Sequence, residues 1–276
     1  MSKNEYFENK VCVITGAGSG IGRALAVELA ERGARLALSD IDADGLAETT
    51  RRCELRGAEV EADLLNVVER EAVLRYADDV QKHFGTVHQI YNNAGITHHG
   101  DVIRSEFEAF ERVMDVDFWG VLNGTKAFLP MIIESGAGHI INVSSLFGLL
   151  AIPGQSAYNA AKFAVRGFTE SLRQEMLVSG HPVAVTCVHP GGIKTAVARN
   201  ATYAEGVDVA SAVATFDTKL ALHTPEMAAK TILDGVRKGH GRVLVGWEAK
   251  LLDLFVRVTA SAYQRITVVV ARSRRP

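Results

Sequence analysis

The chain has 276 residues, of which 47% are hydrophobic, and a formal net charge of −2 at pH 7. This length supplies a large buried core, and the near-neutral charge gives no general attraction to nucleic acid or to anionic membranes. We therefore expect no nucleic-acid partner. The first ten residues are polar and lack the apolar stretch of a secretory signal, so we expect a cytoplasmic protein.

Strand-like and helix-like segments alternate along the chain without a repeat. Only six prolines occur, and no Ser/Gly-rich linker divides the sequence. This alternation predicts a single α/β domain. We assign residues 1–246 to it and residues 247–276 to a C-terminal helical extension, packed on the same domain or on a partner subunit.

A glycine-rich turn follows the first predicted strand. Residues 11–14 are apolar and mostly β-branched, and apolar residues recur at helical spacing from Ile21. Gly16 permits a tight exit from the strand, Gly20 removes a side chain where a phosphate must approach, and Gly22 lets the helix pack close to the sheet. The helix N-terminus would then face an anion. The pattern predicts a dinucleotide-binding turn.

Asp40 ends the second predicted strand, about 20 residues after the glycines, where a carboxylate accepts hydrogen bonds from the adenosine ribose hydroxyls. The same carboxylate repels the 2′-phosphate of NADP. The sequence therefore predicts NAD as the cofactor. Arg23 and Arg35 lie nearby in sequence, and we expect both to be solvated on the surface.

The later elements complete a doubly wound, mostly parallel sheet, since strands joined by helices require right-handed crossovers. Ligands bind such sheets at the carboxyl ends of the strands. The predicted elements are, in order, a helix capped by Asp42 and ended by Gly57, a strand to Asp63, a helix over residues 67–84, a strand over residues 87–91, a helix over residues 107–133, a strand over residues 138–145, a helix from Ser156, a strand ending at His189-Pro190, a helix opened by Thr224 and a strand over residues 242–245.

Tyr158 and Lys162 lie four residues apart on a predicted helix and so share one face. Such a pair is common by chance and is usually exposed. Ser145 changes this interpretation, because it ends the fifth strand at the edge where ligands bind. A hydroxyl, a phenol and an ammonium are then predicted beside a dinucleotide.

Five motifs occur in a set order between about Lys10 and Thr195: T-G-A-G-S-G-I-G, N-N-A-G, Ser145, Y-N-A-A-K and H-P-G-G-I-K-T. Together they resemble the short-chain dehydrogenase/reductase family. The resemblance implies a Rossmann fold and a nicotinamide-dependent enzyme that interconverts a secondary alcohol and a ketone. It also implies a homodimer or homotetramer formed through the two long helices.

The resemblance assigns Tyr158 as proton donor and acceptor, Lys162 as a ligand of the nicotinamide ribose and Ser145 as a hydrogen-bond partner of the substrate oxygen. Ser19 lies where NADP-preferring relatives often carry a basic residue, which agrees with NAD. The cofactor contacts expected are Gly16, Ser19, Gly20, Ile21 and Gly22 at the glycine turn, Asp40, Asp63 and Leu64 at the adenosine, Asn92, Ala94 and Gly95 along the cleft, Tyr158 and Lys162, and Pro190, Gly191, Ile193 and Thr195 at the nicotinamide and phosphates.

One position departs from the family pattern, which commonly has a catalytic Asn where V-D-F-W-G places Asp117. In the family that residue acts largely through its main-chain carbonyl, which Asp also supplies. Its carboxylate could instead pair with Lys162 and weaken the effect of the lysine on Tyr158. We count Asp117 as a candidate catalytic residue. Asn123 is expected on the helix surface or in packing.

The predicted chemistry of Tyr158 has a physical basis that is independent of the family. An unperturbed phenol has a pKa near 10. A nearby ammonium and an oxidised nicotinamide both favour the phenolate, so we expect the pKa of Tyr158 to be lowered toward operating pH.

Residues 196–222, here called the covering segment, have weak periodicity and predict a mobile cover over the substrate. Residues 247–270 predict one amphipathic helix. Its apolar side has three alternative roles: packing on the core or a partner subunit, a wall of an apolar substrate cleft, or peripheral membrane attachment through Arg272, Arg274 and Arg275. Relatives with such an extension often act on lipophilic alcohols. The cofactor elements are all expected before the extension.

No metal site is expected. Cys12, Cys53 and Cys187 form no C-x-x-C pair, and Cys12 and Cys187 lie in apolar strands as core residues. His98 and His99 are expected to be solvated in a polar loop.

Three functions remain open from the sequence. The first is an NAD-dependent dehydrogenase of lipophilic or bulky secondary alcohols. The second is a biosynthetic ketoreductase, for example of 3-oxoacyl thioesters, which would favour NADPH; Asp40 disfavours it. The third is a non-enzymatic NAD-binding sensor, which the intact Ser, Tyr and Lys set disfavours.

Overall fold

A seven-stranded parallel sheet forms the centre of the protein, in a computed structural model that describes residues 5–272. The strands are β1 (Val11–Thr15), β2 (Arg35–Asp40), β3 (Val60–Leu64), β4 (Gln89–Asn92), β5 (His98–His99), β6 (Gly138–Val143), β7 (Val183–Pro190), β8 (Thr202–Tyr203) and β9 (Arg242–Val245). The main sheet has the order β3-β2-β1-β4-β6-β7-β9, and β5 and β8 form a separate short parallel pair. The doubly wound parallel sheet predicted from the sequence is confirmed.

Helices cover both faces of this sheet. They are α1 (Gly20–Ala30), α2 (Ala43–Glu54), α3 (Arg70–Phe84), α4 (Phe107–Met114), α5 (Gly120–Glu134), α6 (Ser156–Ser179), α7 (Val209–Thr215), α8 (Pro225–Arg237), α9 (Trp247–Thr259) and α10 (Tyr263–Arg272). The predicted cap residues are confirmed, because the Asp42 carboxylate accepts from the Gly45 N–H at the start of α2 and the Thr224 hydroxyl accepts from the Met227 N–H at the start of α8.

The buried residues form one apolar layer on each face, and the period of two along a strand assigns each side chain to its layer. In β1, Cys12 and Ile14 pack with α1, α2 and α8, whereas Val11 and Val13 pack with α3, α5 and α6. Cys53 and Cys187 are also buried and unpaired, so the predicted core role of the strand cysteines is confirmed. The sheet is therefore covered on both sides, and its carboxyl edge is left for ligands.

The direction of chain progression reverses between β1 and β4, which are neighbours in the sheet. A crevice opens at the carboxyl ends of the strands at such a reversal, because the following helices leave toward opposite faces. Thr15, Asp40, Asn92 and Val143 all end strands at this edge. The fold thus places the motifs found in the sequence around one crevice.

The predicted long helix between β4 and β6 is present with an internal change of pitch. A π-helical turn, Asp115–Trp119, connects α4 to α5. Turns of this kind are rare and are frequently found at functional sites. Asp117 lies in this turn and is completely buried.

The prediction of one helix over residues 247–270 is wrong, because the chain breaks into α9 and α10. Ala260 adopts a positive φ of 47°, which no continuous helix allows. The break turns Tyr263 back onto the domain, where it is buried and its hydroxyl accepts from the Ala151 N–H at 3.1 Å. Arg274 and Arg275 lie outside the described residues. Within the described part of the chain, no helix is long and apolar enough to cross a membrane.

A buried polar network joins the sheet to the helix that carries Tyr158 and Lys162. The side-chain amide of Asn92 in β4 donates to the Asn142 side-chain oxygen in β6 at 2.8 Å, and the Asn142 amide donates to the Thr169 hydroxyl in α6 at 3.0 Å. The Thr169 hydroxyl donates in turn to the Val165 carbonyl. Buried amides need such partners, so the network fixes α6 against the strands.

We predict that Thr169→Val lowers the free energy of unfolding by about 1–3 kcal/mol, because the isosteric side chain leaves the Asn142 amide buried without an acceptor. Thr169→Ser keeps the hydroxyl and is the matched control. Denaturant unfolding measures both. Equal stability of the Val variant and the parent would show that the network contributes nothing to the fold.

Candidate active site

The glycine turn after β1 forms one wall of the crevice. Gly20 has a φ of 52°, and a Cβ on it would lie 3.0 Å from the Cγ2 of Thr195 across the crevice. A Cβ on Gly22 would lie 2.0 Å from the Gly16 carbonyl oxygen, so only glycine allows α1 to start this close to the strand. The turn brings the N-terminus of α1 to the crevice, as an anion site requires.

Asn93 holds the glycine turn to the end of β4. Its side-chain amide donates to the carbonyls of Thr15 and Gly16 at 3.0 and 3.1 Å. The Thr15 hydroxyl accepts from the backbone N–H groups of Asn93 and Ala94 at 3.0 and 3.2 Å. Sequence reasoning singled out Asn92 in this motif, but the side chain of Asn92 lies in the buried network, so Asn93 is the residue that shapes the crevice.

Asp40 lies at the end of β2 and borders the glycine turn. Its carboxylate accepts from the backbone N–H groups of Gly18 at 2.7 Å and Asp42 at 3.0 Å. The expectation that Arg23 is solvated is wrong. Its guanidinium donates to the Gly18 carbonyl and, at 2.9 Å, to the Thr49 hydroxyl, which holds the glycine turn against α2.

The other expected cofactor residues lie along the same edge. Ser19 is exposed at the start of α1 with its hydroxyl free of any cap bond, and Ile21 is half-buried. Asp63 and Leu64 end β3 beside Asp40. Ala94 and Gly95 follow β4, and Pro190, Gly191, Ile193 and Thr195 lie at and beyond the end of β7.

Ser145, Tyr158 and Lys162 converge at the middle of this edge. Lys162 is buried in α6, and its ammonium donates to the Val143 carbonyl at the end of β6 at 3.2 Å. The same ammonium lies 5.5 Å from the centre of the Tyr158 ring. The Ser145 hydroxyl accepts from the Phe147 N–H at 3.1 Å. The Phe147 and Tyr158 rings pack edge to face, with their centroids 6.2 Å apart. The predicted convergence of the three groups is observed.

The carboxylate of Asp117 pairs with Lys162, which is the contact that the second of the two alternatives from the sequence requires. Its Oδ2 lies 3.1 Å from the Lys162 Nζ, and its Oδ1 accepts from the Ile96 N–H at 2.7 Å. A Cβ on Gly95 would lie 3.3 Å from the same Nζ, so a side chain at this position would crowd the buried ion pair. The carboxylate therefore competes for the charge that acts on Tyr158.

The pKa of Tyr158 in the chain without cofactor is shifted in the direction opposite to the one expected. Burial raises the pKa of Tyr158 above its usual value, and the Asp117 carboxylate raises it further, against the lowering effects of Lys162 and of the Ser145 hydrogen bond. The expected lowering is therefore wrong for the chain by itself. Burial disfavours the Lys162 ammonium, but Asp117 and Tyr158 outweigh it and raise the pKa of Lys162, so the lysine stays charged.

His189 positions Ser145 and was not singled out as a functional residue by the sequence. Burial lowers the pKa of His189 to about 4, so the ring is neutral at pH 7. Its Nδ1 lies 2.8 Å from the Ser145 carbonyl, which only accepts, so Nδ1 carries the proton and donates. The H-P-G-G motif, which begins within the last two residues of β7, thus fixes the backbone of the serine.

The expectation that His98 and His99 are solvated is wrong. His98 is 5% exposed, and its ring nitrogens contact the hydroxyls of Thr202 at 2.8 Å and Ser105 at 2.9 Å. His99 stacks on Tyr203 at 5.2 Å and also contacts the amide of Gln155, three residues before Tyr158. Both histidines belong to β5, which pairs with β8 in the covering segment. In this pairing His98 is buried and His99 is partly buried.

The covering segment is attached to the domain through this short ladder. The Thr202 N–H donates to the Thr97 carbonyl at 3.2 Å, and the Ala204 N–H donates to the His99 carbonyl at 2.9 Å. Its mobility stays a prediction. Asn123, by contrast, is a packing residue as expected, since its side-chain amide donates to the buried carbonyl of Val67.

Comparison with known proteins identifies the family of the chain. A family model for short chain dehydrogenases matches residues 10–206. SadH of Mycobacterium tuberculosis, which is named as an oxidoreductase, is 68% identical over 260 residues, covering 94% of each protein.

Solved structures of the same family are also similar to this chain. A short chain dehydrogenase/reductase from Burkholderia phymatum in complex with NAD superposes with a TM-score of 0.87 at 27% identity, covering 94% of this chain and 96% of that one. A short chain dehydrogenase from Mycobacterium paratuberculosis bound to NAD gives 0.76 at 28% identity, covering 87% and 97%. The chain therefore belongs to the short-chain dehydrogenase/reductase family of oxidoreductases.

Proposed function

We propose that this protein is an NAD(H)-dependent oxidoreductase that interconverts a secondary alcohol and a ketone. The observation that carries the proposal is the convergence of the Ser145 hydroxyl, the Tyr158 phenol and the buried Lys162 ammonium beside the glycine turn. These are the groups that a carbonyl oxygen needs when it gains or loses a proton.

The crevice fits a nicotinamide dinucleotide. On this proposal the N-terminus of α1 takes a phosphate at the glycine turn, Asp40 takes the adenosine end, and Thr195 lies opposite Gly20, beside the phosphates. When bound, this cofactor supplies or accepts the hydride. The expected contacts along the edge, from Gly16 to Thr195, are proposed as its ligands.

The residues of the chain handle the proton and the substrate oxygen. Tyr158 takes the proton of an alcohol as phenolate and returns it to a ketone as phenol. Ser145 donates to the same oxygen and opposes the build-up of charge there. Lys162 stabilises the phenolate and binds the nicotinamide ribose, and Asp117 moderates that stabilisation through its ion pair.

Two features support NAD and a lipophilic substrate. The Asp40 carboxylate is held by two backbone N–H groups at the position where a 2′-phosphate would come, and two structural neighbours are bound to NAD. Arg104 approaches Gly206 in the covering segment. The neighbouring apolar residues Val102, Ile103 and Phe107 are 65–92% exposed, and such a surface suits a bulky apolar alcohol.

We further propose a cytoplasmic homodimer or homotetramer. Large apolar side chains are exposed on α6 at Phe163, Leu177 and Val178. In the single chain, the domain buries only part of the C-terminal extension, at Ala249 and Tyr263. Other apolar side chains of the extension are exposed: Leu251, Leu254, Val258 and Ile266. A partner subunit is the surface we assign to these residues.

Tyr158→Phe should bind NADH like the parent and lose turnover by about 100- to 10,000-fold, because the ring still packs on Phe147 while the titrating oxygen is gone. Initial rates with any active substrate and NADH fluorescence titration measure the two effects. Turnover at the parent rate would refute the assigned proton transfer.

Asp40→Ala should relax the preference for NAD toward NADP, because the carboxylate no longer repels the 2′-phosphate. Titration with both cofactors measures the ratio of the dissociation constants. Asp44→Ala, in the first turn of α2, is the matched control and should keep the parent ratio. Tighter binding of NADP than NAD by the parent would overturn the proposed cofactor.

Asp117→Asn should leave activity near the parent level or raise it, because the main-chain carbonyl is kept and the negative charge that raises the pKa of Tyr158 is removed. A lower pKa means that alcohol oxidation, which needs the phenolate, reaches half of its maximal rate at a lower pH. A pH–rate profile tests this shift. A large loss of kcat in a folded variant would contradict this prediction and show that turnover needs the carboxylate, either for its ion pair with Lys162 or for proton transfer.

A further inference from the structure

A carboxylate from the C-terminal extension reaches the loop that follows β7. Glu248 lies in the first turn of α9, and its Oε1 accepts from the Gly192 N–H at 3.1 Å. Its Oε2 lies 2.7 Å from the Nε2 of His223. The carboxylate and the imidazole are both largely buried, at 13% and 17% side-chain exposure. The extension therefore contacts the loop after β7, where cofactor contacts are expected, although it follows all the expected cofactor elements in the sequence.

The backbone around Glu248 is built to admit its carboxylate. A Cβ on Gly191 would lie 2.1 Å from Oε1, and a Cβ on Gly246 would lie 2.4 Å from it. No side chain fits at either position while the carboxylate is in place. The glycines of H-P-G-G thus serve this contact, in addition to the cofactor contacts expected of them.

Both ends of the covering segment meet at this carboxylate. The Gly192 carbonyl accepts from the N–H groups of Leu222 and His223 at 2.9 and 3.0 Å, and the Lys194 N–H donates to the His223 carbonyl at 2.8 Å. Ile193 and His223 form a parallel bridge. The residues before and after the covering segment are therefore hydrogen-bonded to each other. Glu248 contacts Gly192 through Oε1 and His223 through Oε2.

We propose that Glu248 is a positioning residue that anchors both ends of the covering segment and thereby sets Ile193 and Thr195 for the nicotinamide. The inference rests on the proposed function for the nicotinamide. The anchor itself is a property of the chain alone. A carboxylate that accepts from a backbone N–H and pairs with an imidazole stabilises one geometry of the loop.

Asp253 offers a matched control on the same helix. Its carboxylate forms ion pairs with Arg242 at 3.4 Å and Arg257 at 2.9 Å, away from the loop after β7. Asp253→Ala removes a comparable two-sided contact of α9 without touching Gly192 or His223. It separates a general loosening of the extension from the loss of the anchor.

The experiment compares Glu248→Ala, Glu248→Gln and Asp253→Ala in the full chain by two readouts. NADH fluorescence titration reports the cofactor, and limited trypsin digestion reports the anchor, since Lys194, Arg199 and Lys219 lie in or beside the covering segment. We expect Glu248→Ala to weaken NADH binding by about tenfold and to speed cleavage at these sites by a similar factor. Glu248→Gln keeps an acceptor and a donor and should stay within about twofold of the parent in both, as should Asp253→Ala.

The inference is overturned if Glu248→Ala is cleaved at the parent rate, or if Asp253→Ala reproduces both changes. If Glu248→Ala does not fold, His223→Ala removes one side of the anchor and must speed cleavage at the same sites. Failure of the parent to bind NADH would refute the proposed function alone, because the rate of cleavage tests the anchor without any cofactor.

Discussion

The buried ammonium of Lys162 is the group on which the arrangement of the site depends. It donates to the Val143 carbonyl at the end of β6, pairs with Asp117 in the π-helical turn and lies over Tyr158 one turn away on α6. A buried ammonium without such partners is strongly disfavoured. The partners therefore stabilise the Lys162 ammonium. The ammonium in turn fixes the end of β6, the π-helical turn and Tyr158 relative to one another.

The same ion pair has a chemical consequence. A neutral amide at position 117 would leave the positive field of Lys162 undivided, whereas the Asp117 carboxylate stabilises the ammonium and raises the pKa of Tyr158. The chain thus combines a firmly held lysine with a weakly acidic phenol. Under the proposed function, a bound oxidised nicotinamide would add the positive charge that favours the phenolate, and proton transfer by Tyr158 would then be coupled to occupancy of the crevice.

Local patterns were enough to predict most of the fold and the central groups of the site. The strand-to-helix switch at the glycine turn, Asp40 at a strand end and the Tyr158–Lys162 spacing all depend on one strand or one helical turn. The anchors were not predictable, because their partners are distant in sequence: Gly192 and Glu248 are 56 residues apart, and Ala151 and Tyr263 are 112 apart. The break at residue 260 accompanies the second of these contacts, and the burial of His98 and partial burial of His99 accompany the pairing of β5 with β8.

The central claim is that the crevice carries out hydride and proton exchange between an alcohol and a nicotinamide cofactor. The most direct test measures NADH formation by absorbance when the purified protein is given NAD and a panel of lipophilic secondary alcohols, with the matching ketones and NADH run in reverse. We expect at least one alcohol–ketone pair to react in both directions. Tight NADH binding without turnover of any member of the panel would contradict the account and favour a protein that binds the cofactor as a sensor.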